Sequence, residues 1–208
     1  MEHNPASESD MTIPEKTDPL DVFGSWLDEA RQCEAVGSYN AMVLATVDAD
    51  GMPWPRVVLL KDFDEFGFTF YTNLTSIKSR QLDAHPKASL CFFWKPLDKQ
   101  VRILGTVERV SDEEADTYFA TRPRESQIGA WASKQSQSLP SRALLEDRFE
   151  EVKKRYDGKP VPRPPFWSGF RLVPSLIEFW EQRPHRLHDR LAYTKDASGA
   201  WTSERLYP

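Results

Sequence analysis

The 208-residue chain has only two cysteines and four histidines, no apolar run near bilayer length and no surplus of positive charge. Each shortage excludes something. Cys33 and Cys91 share no metal-ligand spacing and cannot build a disulfide framework; both are read as reduced thiols, Cys91 as a small core residue inside "SLCFFW". Crossing a bilayer takes about 20 consecutive apolar residues, and no segment supplies them. The N-terminus shows neither a signal peptide nor an Arg-rich presequence, so a cytoplasmic protein is expected. A net charge of −5 argues against a general nucleic-acid or anionic-membrane surface. An anionic ligand must then be held by local clusters of Arg and Lys.

What remains is a globular composition, 39% hydrophobic and 28% charged, long enough for one full core. Residues 1–17 are polar and aperiodic and read as a mobile arm, leaving 18–208 as a single domain. "DPLDVFGSWLDEARQCEA" has helical spacing, with Asp18 as cap and Pro19 in the first turn. A β-rich block follows: strands "AMVLATV", "WPRVVLLK" and "FTFYT", separated by the turns "DADG" and "DFDEFG". "SIKSRQLDAH" is a helix stopped by Pro86, followed by strands "KASLCFFW" and "QVRILGTVERV". "SDEEADTYFATR" opens on a capping box, Ser111 and Glu114, and "SRALLEDRFEEVKKRYDG" is a second amphipathic helix ended by Gly158. The extended "KPVPRPPFW" leads to strands "GFRLVP" and "LIEFWE" and a closing hairpin from "LAYTK" to "WTSERL". The class is mainly β, a barrel core with inserted helices.

Four clusters carry candidate chemistry. In "RVVLLK", alternation places Arg56, Val58 and Leu60 on one face and Val57, Leu59 and Lys61 on the other; cations that merely reach water from the strand ends would look the same. "YTNLTSIKSR" brings hydroxyls and Lys78 to a helix start, suited to a phosphate and equally to ordinary capping. "YFATRPRESQIGAWASKQS" gathers Tyr118, Arg122, Arg124, Ser126, Lys134, Gln135 and Ser136; four-residue intervals would stack Tyr118, Arg122 and Ser126 on one helical face. In "EFWEQRPHRLHDR", an extended backbone would align Arg186, His188 and Arg190, with His188 suited to proton work. A salt-bridged turn, with Asp189 neutralising an arginine, is the alternative there.

Together "NAMVLATVDADGMPWPRVVLLK", "FYTN", "KQVRI", "YFATRPRESQIGAWASKQS", "FWSGFRLVP", "IEFW" and "RLHDR" resemble the pyridoxamine 5′-phosphate oxidase family over nearly the whole chain beyond the arm. The resemblance implies an FMN-binding split β-barrel, a homodimer with two flavins at the subunit interface and residues 165–208 contributing to both dimer and active site. It implies FMN contacts from Arg56, Val57, Val58, Leu59, Leu60, Lys61, Tyr71, Thr72, Lys78, Gln100, Gln135, Ser136, Trp180 and Arg190. Lys61, Tyr118, Arg122 and Ser126 would grip the substrate phosphate, with Arg186, Leu187 and His188 at the pyridine ring and Arg186 and His188 as the catalytic pair. The implied reaction oxidises pyridoxamine or pyridoxine 5′-phosphate to pyridoxal 5′-phosphate, with dioxygen as acceptor and hydrogen peroxide as product. No metal is implied. A non-catalytic FMN- or pyridoxal-phosphate-binding protein and a flavin reductase are the competing readings of the same barrel.

Two positions depart from the family pattern. Ile77 stands where Ser-Arg-Lys is usual, which removes a charge-assisted bond to the flavin phosphate worth roughly 1.5–3 kcal/mol. Glu181 and Gln182 stand where Gln-Gly is usual, and glutamine resists the backbone angles that glycine permits.

Overall fold

The first helix forms where its capping signals place it. In the computed structural model, which describes Ile13 and residues 18–208, α1 spans Pro19–Gln32, and Asp18 accepts the Leu20 N–H at 2.8 Å. Its apolar stripe, Val22, Phe23, Trp26, Leu27 and Ala30, is buried. Phe23 meets Phe63, Phe68 and Phe92 edge-on at 4.9, 5.0 and 5.2 Å, so the helix seals one side of the barrel core. The arm expected over 1–17 lies outside the described residues except for Ile13, which is fully buried and accepts a hydrogen bond from Arg205 at 3.0 Å.

Nine strands make one antiparallel sheet: β1 (Ala41–Val47), β2 (Pro53–Leu59), β3 (Asp62–Asp64), β4 (Gly67–Asn73), β5 (Lys87–Trp94), β6 (Lys99–Arg109), β7 (Trp167–Glu181), β8 (Asp189–Lys195) and β9 (Trp201–Arg205). Seven of them run in the order β2-β1-β5-β6-β7-β4-β3, and off this path β8 pairs with β7 and β9 with β8. Just past β2, the Lys61 N–H donates to the Thr69 carbonyl in β4 at 2.9 Å. That bond brings the two flanks of the run together, so the sheet curls into a split barrel. The segment "DFDEFG", expected as a turn only, contains the short β3 before the turn.

The C-terminal strand differs most from expectation. "GFRLVP" and "LIEFWE" are not two strands but one continuous β7. Its residues 167–172 pair with β4, and its residues 176–181 pair with β8, while β6 runs along the opposite edge. The change of partner falls at Pro174, which has no N–H to donate, beside a register shift at Leu104/Gly105. Gly105 is required there: a Cβ would lie 2.0 Å from the Val173 carbonyl oxygen. One strand therefore belongs to the barrel at its start and to the C-terminal hairpin at its end.

Helices α2 (Ile77–Ala84), α3 (Asp112–Thr121), α4 (Arg124–Ala132) and α5 (Arg142–Arg155) fill the connections. Ser111 caps α3 as expected, but Glu114 turns from the capping box to Arg171 of β7 at 3.0 Å. A second small core of Phe119, Ile128, Ala132, Val152, Val161 and Trp167 fastens α3–α5 to the start of β7. Cys91 faces outward, opposite Val43, rather than into the core. Among the described residues no helix is long and apolar enough to cross a membrane.

Candidate active site

The site starts from an energetic oddity: the buried face of α2 is polar. Ser76, Lys78, Ser79 and Gln81 are buried there, beside Thr46, Thr72 and Asn73. Such groups must be hydrogen-bonded or held for a ligand. Lys78 Nζ donates to Thr72 Oγ1 at 3.2 Å and reaches Ser76 Oγ at 3.5 Å. Arg56 turns inward, donating to Thr46 Oγ1 at 2.5 Å, the Leu44 carbonyl at 3.3 Å and Gln81 Oε1 at 3.1 Å. It does not simply reach water from a strand end. Burial lowers the pKa of both cations, and for Lys78 the nearby Arg56 charge adds to the effect. Their hydrogen-bond acceptors are all neutral. Gln135 extends the cluster, with Oε1 accepting from Thr72 Oγ1 at 3.2 Å and the Asn73 N–H at 3.3 Å.

Next to this cluster lies a cleft of about 340 Å³ lined by Leu59, Lys61, Tyr71, Tyr118, Thr121, Arg122, Pro123, Ser126 and Trp167. It adjoins a second of about 360 Å³ that shares Tyr71, Arg122, Ser126 and Trp167 and reaches Thr72, Asn73 and Gln135. Tyr118, Arg122 and Ser126 do converge here, though not along one helical face. The helix breaks at Arg122–Pro123: α3 ends at Thr121, and α4 begins afresh at Arg124. Arg122 lies over the Trp167 ring at 4.7 Å, and its Nη1 is buried with no hydrogen-bond partner among the described residues. Burial lowers its pKa. Arg124 instead ties α4 to the end of α5 through the carbonyls of Tyr156 and Lys159.

Three near-parallel rings form the wall: Tyr71 on Tyr118 at 4.0 Å and on Trp167 at 5.3 Å. Burial, with smaller contributions from Glu114 and Tyr118, pushes the Tyr71 phenol pKa up, so it remains a hydrogen-bond donor. Opposite Tyr71 in the β4·β7 ladder is Gly169, where a Cβ would meet the Tyr71 ring at 2.7 Å. Gly169→Ala is expected to push that ring off its stack and destabilise the fold by about 1–3 kcal/mol. Thermal melting, together with a phosphate-ligand titration that also weakens, checks this. Trp167 and Gly169 were not singled out as site residues in the sequence; the only local signal is an aromatic pair closing a Pro-rich connector.

The other expected contacts divide. Val58 and Leu60 pack into the core, so only their backbone can meet a ligand, whereas Val57 and Leu59 are exposed on the outer sheet face. Ser136 is exposed with a left-handed φ of 68°. Gln100, Trp180 and Arg190 stand side by side across β6, β7 and β8, at the far end of β7 from Trp167. Thirteen residues separate Trp167 from Trp180 along that strand, roughly 40 Å at about 3.3 Å per residue. Within one chain the expected contacts therefore fall into two separate groups. The tail carrying Arg186 and His188 is also not extended: Pro184–Arg186 forms a tight turn, with left-handed φ at His185 (58°) and Arg186 (63°). His188 packs on Trp180 at 4.7 Å, while Arg186 and Leu187 are exposed. Arg190 pairs with buried Glu178 at 3.0 Å, and Asp189 is engaged as expected for a salt-bridged turn, but by Arg183. Gln182 adopts no left-handed conformation, so it carries no glycine-type strain. Arg80 donates to the Thr75 carbonyl at 2.7 Å and does not take the place of the arginine missing at Ile77.

The barrel thus sets a carboxylate-free cationic cluster beside an aromatic cleft, an arrangement suited to a phosphorylated, ring-bearing ligand. Comparison with known proteins agrees. Residues 28–156 match the family model described as pyridoxamine 5′-phosphate oxidase, and residues 167–208 match the pyridoxine 5′-phosphate oxidase C-terminal dimerisation region. The chain belongs to the pyridoxamine 5′-phosphate oxidase family. It is 53% identical over its full length to the full-length pyridoxine/pyridoxamine 5′-phosphate oxidase of Mesorhizobium japonicum. With the enzyme of that name from Caulobacter vibrioides it shares 57% identity over 92% of this chain and 85% of that one. Among solved structures, PhzG from Burkholderia lata, in complex with tetrahydrophenazine-1-carboxylic acid, superposes with a TM-score of 0.88 at 32% identity, covering 96% of this chain and 98% of that one. A pyridoxamine 5′-phosphate oxidase-related, FMN-binding protein from Nostoc punctiforme has the same fold, with a TM-score of 0.74 at 19% identity over 93% of this chain and 99% of that one. The barrel is thus of the split type seen in that FMN-binding neighbour.

Proposed function

We propose that the protein is an FMN-dependent oxidase that converts pyridoxamine and pyridoxine 5′-phosphates to pyridoxal 5′-phosphate, with dioxygen as acceptor and hydrogen peroxide as product. The observation that carries this reading is Arg122, a half-buried guanidinium inside an aromatic cleft whose Nη1 is buried and, among the described residues, has no hydrogen-bond partner. A buried donor left unsatisfied costs about 1–3 kcal/mol, which a phosphate ligand would offset.

FMN fits the neighbouring cluster. Arg56 and Lys78 offer two cations with neutral partners, and Thr72, Ser76 and Gln135 surround them with hydroxyl and amide groups. Bound there, FMN supplies the two-electron redox chemistry. Lys61, Tyr118, Arg122 and Ser126 hold the substrate phosphate, remote from the reacting carbon, so that binding energy fixes its approach. Gln100, Trp180 and Arg190, with the turn bearing Arg186, Leu187 and His188, complete the site from a second copy of the chain. The span of β7 supports that division, and so does the match of 167–208 to a dimerisation region. Val43, Val57, Leu59, Phe93 and Leu104 leave an exposed apolar face on the barrel that a second copy would cover. Arg186 covers the pyridine ring, its charge favouring a ring that gathers electron density, and His188 orients ring substituents or accepts a proton.

Anaerobic titration tests the reading. Pyridoxine 5′-phosphate should bleach the flavin, whereas unphosphorylated pyridoxine and reduced nicotinamide should not. Bleaching by the nicotinamide alone would instead identify a flavin reductase, and no bleaching by either a mere cofactor binder. Ile77→Arg is expected to tighten FMN about ten- to a hundredfold by restoring a charge-assisted bond to the phosphate. Flavin absorbance retained after dialysis measures the effect; a wild-type protein that stays fully yellow would contradict the account of Ile77.

A further inference from the structure

At the end of the β7·β8 ladder, two carboxylates face each other: Glu181 is paired with Asp189. Like charges directly opposite in a ladder repel, and both side chains are largely buried, at 16% and 20% exposure. Arg183 lies between them. Its Nε donates to Asp189 Oδ2 at 2.7 Å, and its Nη2 is 3.6 Å from Glu181 Oε2. The backbone N–H of the same residue donates to His188 Nδ1 at 3.1 Å. A nitrogen that accepts a hydrogen bond carries no proton, so neutral His188 is held with its proton on Nε2. The turn between, Pro184–Arg186, contains two left-handed residues that need such an anchor.

We propose that Arg183 is a positioning residue: it clamps Glu181 to Asp189 and thereby fixes the tautomer of His188 and the placement of Arg186. This rests on the functional reading above, which puts both of those residues at the substrate ring. The departure of Glu181 from the family pattern acquires a reason, because the second carboxylate gives Arg183 two anchors in place of one. Arg183 touches no substrate in this scheme and acts only through the turn.

The test uses FMN-loaded protein. Arg183→Ala should lower kcat about tenfold, since small misplacement of a reacting group is costly. KM for pyridoxine 5′-phosphate and flavin retention should stay as in the wild type. Arg183→Gln should behave alike and serves if the alanine variant folds poorly. Adding Glu181→Gln to Arg183→Ala removes the repulsion and should recover most of the loss, as should raised salt. Unchanged kcat in Arg183→Ala, or a double variant as slow as the single one, would overturn the proposal. A readout independent of turnover is nitrogen NMR of histidine-labelled protein, assigned with His188→Asn. Wild type should show His188 as the Nε2-protonated tautomer alone, and Arg183→Ala a mixture; identical spectra would overturn the clamp. An inactive wild-type enzyme with the expected spectra would overturn the functional reading and leave the clamp standing.

Discussion

Arg186→Ala is expected to lose turnover by about a hundredfold or more while its flavin stays bound, the scale seen when one preorganised charge is removed from a reacting centre. Arg186 is exposed, held in a left-handed turn, and distant along β7 from the Arg56–Lys78 cluster of its own chain. Its removal therefore leaves the flavin-phosphate contacts and the phosphate cleft intact. Stopped-flow reduction of the bound flavin under anaerobic conditions reads the step directly. Slow reduction with a normal flavin spectrum is the predicted result. Near wild-type reduction would remove Arg186 from the ring.

Arg122→Ala is expected to act at the other end of the substrate. Loss of one buried, charge-assisted contact to phosphate costs about 1.5–3 kcal/mol, so KM should rise about ten- to a hundredfold with kcat changed much less. A second effect has the opposite sign. Arg122 is half-buried and, among the described residues, has no counter-ion and an unsatisfied Nη1, so the variant loses an unmet donor and should melt no lower than the wild type in the absence of ligand. Inorganic phosphate should raise the melting temperature of the wild type and do so much less for the variant. A lowered melting temperature with unaltered KM would show that Arg122 serves the fold and not the ligand.

How far the sequence reaches can be judged from particular residues. Asp18, Ser111 and Gly158 marked helix ends correctly because capping is local chemistry. The two segments read as separate closing strands proved continuous, because a register shift opposite Gly105 carries the strand past Pro174. Tyr118, Arg122 and Ser126 were expected to meet through helical periodicity. They meet because Pro123 breaks the helix and folds α4 back. Val58 and Leu60 show the limit of alternation, which gives the face but not which face is core. Trp167 and Gly169 shape the cleft through contacts with Tyr71 from a strand about a hundred residues away, and no local pattern records such a pairing. That Gln100, Trp180 and Arg190 stand far from Trp167 within one chain was legible only through the family resemblance, not through periodicity. Periodicity says nothing about distance along a strand whose length was itself misjudged.

The central claim is that one copy's phosphate cleft works only with the other copy's Arg186 turn. Mixing the Arg122→Ala and Arg186→Ala proteins, with unfolding and refolding to exchange subunits, tests it when activity is read at substrate well below the KM of Arg122→Ala, where both parents are nearly silent. Each mixed dimer would contain one site with both arginines present and one with neither, and half of randomly paired dimers are mixed. Recovery to about a quarter of wild-type activity is the predicted result. A mixture that stays at the mean of its two parents would show that each chain carries a complete site of its own.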